Sequence, residues 1–329
     1  MASEPSPFIG ARACERCHAD RFDEQQRSRH ARTLVRPNAI AGLVWPQGPV
    51  PDRSEPKVVH EIRAMAGGVE AETKVGERAF RAVVLFAMGS GRQGRSFLAR
   101  EASGVIRELR LSQYPEAPEW DRTMEHPAVP PDPDGYLGRP IQPESYRRCL
   151  HCHATDFRAA EDSNRPEGDD HGIGCERCHG PGALHIRAVE AKLPELAIAR
   201  PRLARPTQVM ALCGDCHSAP PSTTPADPGF VRYQVSGLSL SRCYTESTDS
   251  FSCVTCHDPH QDAETSAAHY EAICLGCHAP GTEKPASGPT RKGCPVNARA
   301  DCLNCHMPRV SNAVPRTVFT DHSIRVHRP

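Results

Sequence analysis

Aromatic side chains are scarce in this chain. Phe, Tyr and Trp make up 5% of its 329 residues, and the apolar residues together only 38%, below the roughly 45–50% of an ordinary globular domain. A chain so short of core-forming side chains either stays disordered or fills its interior with something other than side chains. Long apolar runs are also missing. None approaches the roughly 20 residues needed to cross a bilayer as a helix, so no transmembrane segment is expected. Net charge is absent too: 40 basic residues balance 40 acidic ones, and no basic block stands out. That argues against a nucleic-acid partner. Lysine is nearly lacking, with five of the 40 basic residues; the rest are arginine. The first thirteen residues show no charged stretch followed by an apolar one, so no secretory signal peptide is visible.

Turn formers, cysteine and histidine are plentiful. Pro (32) and Gly (24) make about 17% of the chain against a usual ~12%, which predicts many loops. Sixteen Cys are about 5%, short of the ~8–10% of a disulfide-built scaffold. Their spacing is more telling than their number. Seven times the chain reads C-x-x-C-H: Cys14, Cys17 and His18; Cys149, Cys152 and His153; Cys175, Cys178 and His179; Cys213, Cys216 and His217; Cys253, Cys256 and His257; Cys274, Cys277 and His278; Cys302, Cys305 and His306. Two thiols three positions apart can each form a thioether to one vinyl group of a haem, and the following imidazole then meets the iron. Zinc is the competing reading, since the pairs at Cys253/Cys256 and Cys274/Cys277 are spaced like a zinc ribbon. Zinc, however, does not need a His after every second Cys. Seven consecutive such hits by chance come to about 10⁻⁹ at this His frequency. The expected cofactor is therefore haem c, seven copies, covalently attached. Seven macrocycles over 329 residues would supply the interior that the side chains do not.

Each iron needs a second axial ligand to be six-coordinate. Ten His lie outside the motif position: His30, His60, His126, His151, His171, His185, His260, His269, His322 and His327. Ten candidates for seven irons make bis-His ligation throughout feasible. His260 follows His257 in C-H-D-P-H, where Pro stiffens the turn. His185 lies in C-H-G-P-G-A-L-H, His30 in S-R-H-A, and His322 in F-T-D-H, where Asp321 can orient the ring. These four are the preferred ligands. Met210 and Met124 are weaker candidates, better suited to packing. Cys243 and Cys294 stand outside the motifs, and in an oxidising compartment such a pair most readily forms a disulfide.

Three zones follow from the spacing: 1–36, a first haem-binding segment with a candidate helix from Ala19 to Leu34; 37–148, a Cys-free β-rich insert with a Pro-rich connector; and 149–329, a six-haem domain. In the middle zone Lys57–Met65, Arg78–Met88, Arg95–Glu101 and Val105–Leu111 carry β-branched or alternating apolar residues between Gly-rich turns. They predict a small antiparallel sheet of about three to five strands. In the last zone Ala183–Ala199 is the best candidate helix, interrupted by Pro194. The expected fold is thus mainly α and irregular, with few short helices organised around haems, plus a small antiparallel β-module in the N-terminal half.

The motif stretches resemble the cytochrome c554-like family of multihaem cytochromes. The resemblance is carried by Cys14–His30, by G-I-G-C-E-R-C-H-G-P-G at Gly172–Gly182, by S-C-V-T-C-H-D-P-H at Ser252–His260, by D-C-L-N-C-H-M-P at Asp301–Pro308 and by F-T-D-H at Phe319–His322. It implies a periplasmic electron carrier with mostly bis-His haems, working with donor and acceptor redox proteins, and it points to His30, His185, His260 and His322 as distal ligands. Because haem attachment of this type takes place outside the cytoplasm in bacteria, a periplasmic or extracellular location is expected. A second reading is a multihaem oxidoreductase in which one five-coordinate haem acts on a small nitrogen or sulfur oxyanion. No C-x-x-C-K occurs, and the surplus of His forces no vacancy.

Overall fold

The structure is a computed structural model. It describes residues 7–37, 43–116, 118–156, 172–247, 249–278, 294–297, 299–311 and 316–326. Two compact units are present, Met1–Ala199 and Arg200–Pro329.

The first unit is built on an antiparallel sheet of eight strands. Across the sheet the order is Gly138–Pro140, Ile106–Leu109, Ser96–Arg100, Arg78–Met88, Gly68–Val75, Val59–Met65 and Val50–Pro51, and Leu34–Val35 pairs with Arg78–Met88. This corrects the expected fold class. Among the described residues the sheet is the largest regular element, not a small module beside a mainly helical body. The four strand-like segments seen in the sequence are all strands here. A further strand, Gly68–Val75, lacks a clean apolar alternation. Its buried positions include Glu72 and Thr73, and Glu72 is accommodated because Arg81 and Lys74 close on it from the neighbouring strand and its own. The short edge strands carry too few residues for any pattern.

Alternation along the sheet loads both faces. On one face Ile62, Val69, Ala71, Ala82, Val84, Ala87, Phe97, Ala99 and Leu109 form the main core. It is covered by Trp45 and Trp120, whose rings lie 5.2 and 5.6 Å from Phe97, so both tryptophans of the chain are spent here. On the other face Leu34, Phe86 and Leu98 pack against Tyr146, Leu150 and Ala154. Tyr146 and Leu150 lie on the helix Pro143–His153, which ends on a C-x-x-C-H motif. The sheet therefore holds one of the motifs in place.

The expected helix Ala19–Leu34 is instead Arg12–Arg27, kinked at His18. It stops at Ser28, whose extended backbone leads into turns. The expected helix Ala183–Ala199 ends at Glu190. Lys192 takes a left-handed conformation (φ 56°), and the Leu193 N–H returns to the Ala188 carbonyl at 2.9 Å, which closes the helix by a Schellman-type cap before Pro194.

The second unit has short helices at Pro206–His217, Gln234–Ser239, Arg242–Thr245, Ala267–His278 and Cys302–His306, and one hairpin of Arg309–Ser311 with Val318–Thr320. Its hydrophobic cluster holds only three buried residues, Met210, Val235 and Leu238. Among the described residues, side chains alone give this unit no sizeable core, whereas an ordinary domain of its length buries a contiguous one. Among the described residues no helix is long and apolar enough to cross a membrane.

Candidate haem-binding sites

Five of the seven motifs occupy the last turn of a helix, and the motif His is its final residue: His153, His179, His217, His278 and His306. On a helix, positions i, i+3 and i+4 share a face. The first Cys, second Cys and His therefore project together. The chain then leaves the helix, through extended backbone at Ala154 and Ser218 or a positive φ at Gly180. The Cys14 motif lies inside Arg12–Arg27, where His18 departs from helical angles (φ −127°, ψ 40°). The Cys253 motif opens on a single 3₁₀ turn, Cys253–Thr255.

In the first unit the motifs at Cys149 and Cys175 are bonded to each other, and hydrogen bonds tie them to the segments on either side of the Cys14 motif. Arg177, inside the motif at Cys175, donates to the His151 carbonyl at 2.9 Å, inside the motif at Cys149. Thr33 Oγ1 donates to the carbonyl of His153 at 3.0 Å and to that of His30 at 2.8 Å. The Ile173 N–H reaches the His30 carbonyl at 2.9 Å. Buried Glu176 accepts from the backbone N–H groups of Ile9, Gly10 and Gly182, at 2.7–3.0 Å in its best contacts, and so ties the segment before Cys14 to the one after His179. Neither Arg177 nor Glu176 was singled out in the sequence, where both read as spacer residues between two cysteines.

In the second unit the thiols themselves meet. The interaction of Cys213 with Cys253 pushes Cys213 up and Cys253 down in pKa. Met210 Sδ lies 3.4 Å from Cys253 Sγ, so this Met packs at the attachment sulfurs. Burial pushes the Cys256 thiol up, and the Cys274 thiol up to about 11. Cys302 anchors its backbone N–H on Glu271 Oε1 at 2.9 Å. No disulfide joins Cys243 to Cys294, so the expected bridge between them is not formed. The zinc-ribbon-like pairs do not converge into a metal cage: among the described residues no three or more His, Cys, Asp or Glu are grouped to hold a bare ion.

The imidazoles divide by which nitrogen the protein engages. Nδ1 faces a backbone carbonyl in His153 (Thr33, 3.0 Å), His179 (Ala199, 2.9 Å) and His306 (Arg325, 3.0 Å) among the motif residues. The same holds for His185 (Leu196, 2.7 Å) and His322 (Thr320, 2.9 Å) outside the motifs. His260 turns Nδ1 to Asp258 at 2.8 Å, and His217 to Gln234 at 3.2 Å. An acceptor at Nδ1 fixes the proton there and presents the Nε2 lone pair outward, which is how protein metal ligands are oriented. His60 and His126 are held otherwise. His60 is buried with Nδ1 on Thr73 and Nε2 toward Asp52, and His126 directs Nε2 to Glu108. These two are parts of polar clusters in the sheet. His171 and His327 lie outside the described residues.

Burial favours the neutral form of His153, His257 and His322. It holds His153 and His322 below the usual histidine range. It brings His257 down to about 4, with the nearby His322, His269 and His217 adding to the effect. A neutral ring is the form that donates a lone pair to iron. Paired thiols on one helix face and imidazoles oriented through Nδ1 are the donor set that a covalently held haem requires.

Residues 136–180 match the family described as Cytochrome c554 and c-prime, so the resemblance noted in the motifs is borne out over a stretch that includes the Cys149 and Cys175 motifs. No curated protein matches the chain. Among solved structures, the chain is similar to the outer cell wall cytochrome OcwA, with TM-score 0.53 and 14% identity over 97% of this chain and 80% of that one. At that identity the likeness is one of fold.

Proposed function

We propose that this chain is a heptahaem c-type cytochrome that moves electrons along a series of mostly bis-His haems, in the periplasm or outside the cell, between donor and acceptor redox proteins. Haem, when bound, supplies the Fe(III)/Fe(II) couple, and the polypeptide sets each potential through axial ligand, burial and hydrogen bonds. Cys14 with Cys17, Cys149 with Cys152, Cys175 with Cys178, Cys213 with Cys216, Cys253 with Cys256, Cys274 with Cys277 and Cys302 with Cys305 would form the thioethers. His18, His153, His179, His217, His257, His278 and His306 would be the proximal ligands, with His30, His185, His260 and His322 among the distal ones.

The observation that carries this reading is the orientation of imidazoles outside the motifs. His185 and His322 have Nδ1 anchored on a carbonyl just as motif residues do, which prepares Nε2 for a metal. EPR of the oxidised protein tests it. Low-spin iron throughout, unchanged by nitrite or hydroxylamine, is the expected result. A high-spin signal perturbed by either ligand would instead make the protein an oxidoreductase.

A further inference from the structure

His257 and His322 come together in the second unit from distant parts of the sequence. Their ring centroids lie 6.3 Å apart, and their planes are inclined by 38°. One metal bonded to two imidazoles at about 2 Å from each nitrogen places the ring centroids roughly 6 Å apart. The observed separation would accommodate one metal held between the two rings, and is too wide for rings in direct stacking contact.

Both rings are held for that arrangement. His322 follows the hairpin strand Val318–Thr320, and its Nδ1 is fixed on the Thr320 carbonyl at 2.9 Å. The next residue, Ser323, gives its N–H to buried Asp321 at 2.7 Å. Gly237 leaves the room: a Cβ there would meet the backbone of Ser323 and the His322 side chain at 3.2–3.4 Å. On the other side, His257 Nδ1 faces the Tyr270 hydroxyl at 3.5 Å, with the Tyr270 ring edge-on to it at 5.5 Å. In each ring the protein occupies Nδ1, so Nε2 remains for the metal. The other His near His257 serve elsewhere. His217 belongs to the Cys213 motif, and His269 is exposed and sets its ring at 89° to Tyr270.

We infer that His322 is the distal ligand of the haem attached at Cys253 and Cys256, opposite His257. The inference rests on the haem reading above and adds the identity of the iron that His322 serves. Tyr270 is then a positioning residue for the proximal ring.

A double-variant experiment on the full haem-loaded chain tests it. H257G and H322G each remove a ring and leave both thioethers in place, so intact mass reports an unchanged haem count. Each single variant should convert one haem in seven from low-spin to high-spin by EPR, and added imidazole should restore it. The H257G/H322G double variant should still perturb only one haem, because both ligands belong to the same iron. Two perturbed haems in the double variant would assign His322 to a different iron, and an unchanged spectrum in H322G would remove it as a ligand. If glycine at 322 prevents accumulation, H322M keeps a ligand in place. It should stay low-spin and raise one potential of the seven, since Met/His ligation raises the potential; no change in any potential would overturn the assignment. Absence of covalent haem in the unsubstituted protein would instead defeat the haem reading, and intact mass separates the two failures.

Discussion

At the scale of single residues, the most consequential polar group of the first unit is Arg110, fully buried in the sheet. It pairs with buried Asp52 and donates to the carbonyls of Pro127 and Ala128 at 2.8 and 2.7 Å. Its guanidinium lies 5.0 Å from the Tyr136 ring centroid. One side chain thus fastens the Pro-rich connector to the strands. Burial pushes the Asp52 carboxyl up, but hydrogen bonds from His60, Arg110 and the Ser54 N–H, together with the Arg110 charge, outweigh it and hold the group well below the usual carboxylate range. A depressed folded-state pKa stabilises the fold fully above the unfolded value of about 4, and that stabilisation is lost as pH falls through the folded-state value. Arg110→Met leaves Asp52 buried without its cation, and should cost about 3–5 kcal/mol at neutral pH. Chemical denaturation at pH 7 and pH 3 checks this, with the gap between variant and parent shrinking at the lower pH.

At the scale of elements, the motif helices are short, and local contacts between segments hold them. Gly172 shows how tight those contacts are. A Cβ at this position would collide with the backbone carbonyls of Ala31 and His30, where the 172–174 segment docks beside Thr33 and Thr155. Gly172→Ala should therefore cost about 1–3 kcal/mol through overpacking, read as a lowered Tm. The sequence displays G-I-G before the Cys175 motif but not what it touches. The motifs were legible because covalent attachment demands fixed residue types at fixed spacing. Strands such as Arg78–Met88 were legible because alternation survives in their apolar residues. Gly68–Val75 was not, since Glu72 is buried only by virtue of charges on residues that register places beside it. Tyr270, four residues before Cys274, looks like any helix aromatic until the fold sets it against His257.

At the scale of the whole molecule, the two units differ in what holds them. The first has sheet cores on both faces. The second has a three-residue cluster whose partly buried neighbours include Cys213 and Cys253. On the proposed reading attached haems complete the packing of the second unit, so removing them should affect the units unequally. With the fourteen motif Cys replaced by Ala, amide hydrogen exchange should retain protection in Arg78–Met88 and Ser96–Arg100. Protection should fall toward that of an unfolded chain in Pro206–His217 and Ala267–His278, where little apolar contact remains to resist local opening. Equal protection in both units would show that the second folds without the cofactor.

On the proposed function, iron porphyrins covalently bound at seven Cys pairs complete this fold and carry its electrons. Intact mass of the natively produced chain, with a pyridine haemochrome assay on the same sample, measures that directly. A mass increment of seven haems is expected, with the absorption of haem c in the same proportion. A chain of unmodified polypeptide mass, or one carrying tetrahedral zinc at these thiols, would contradict it.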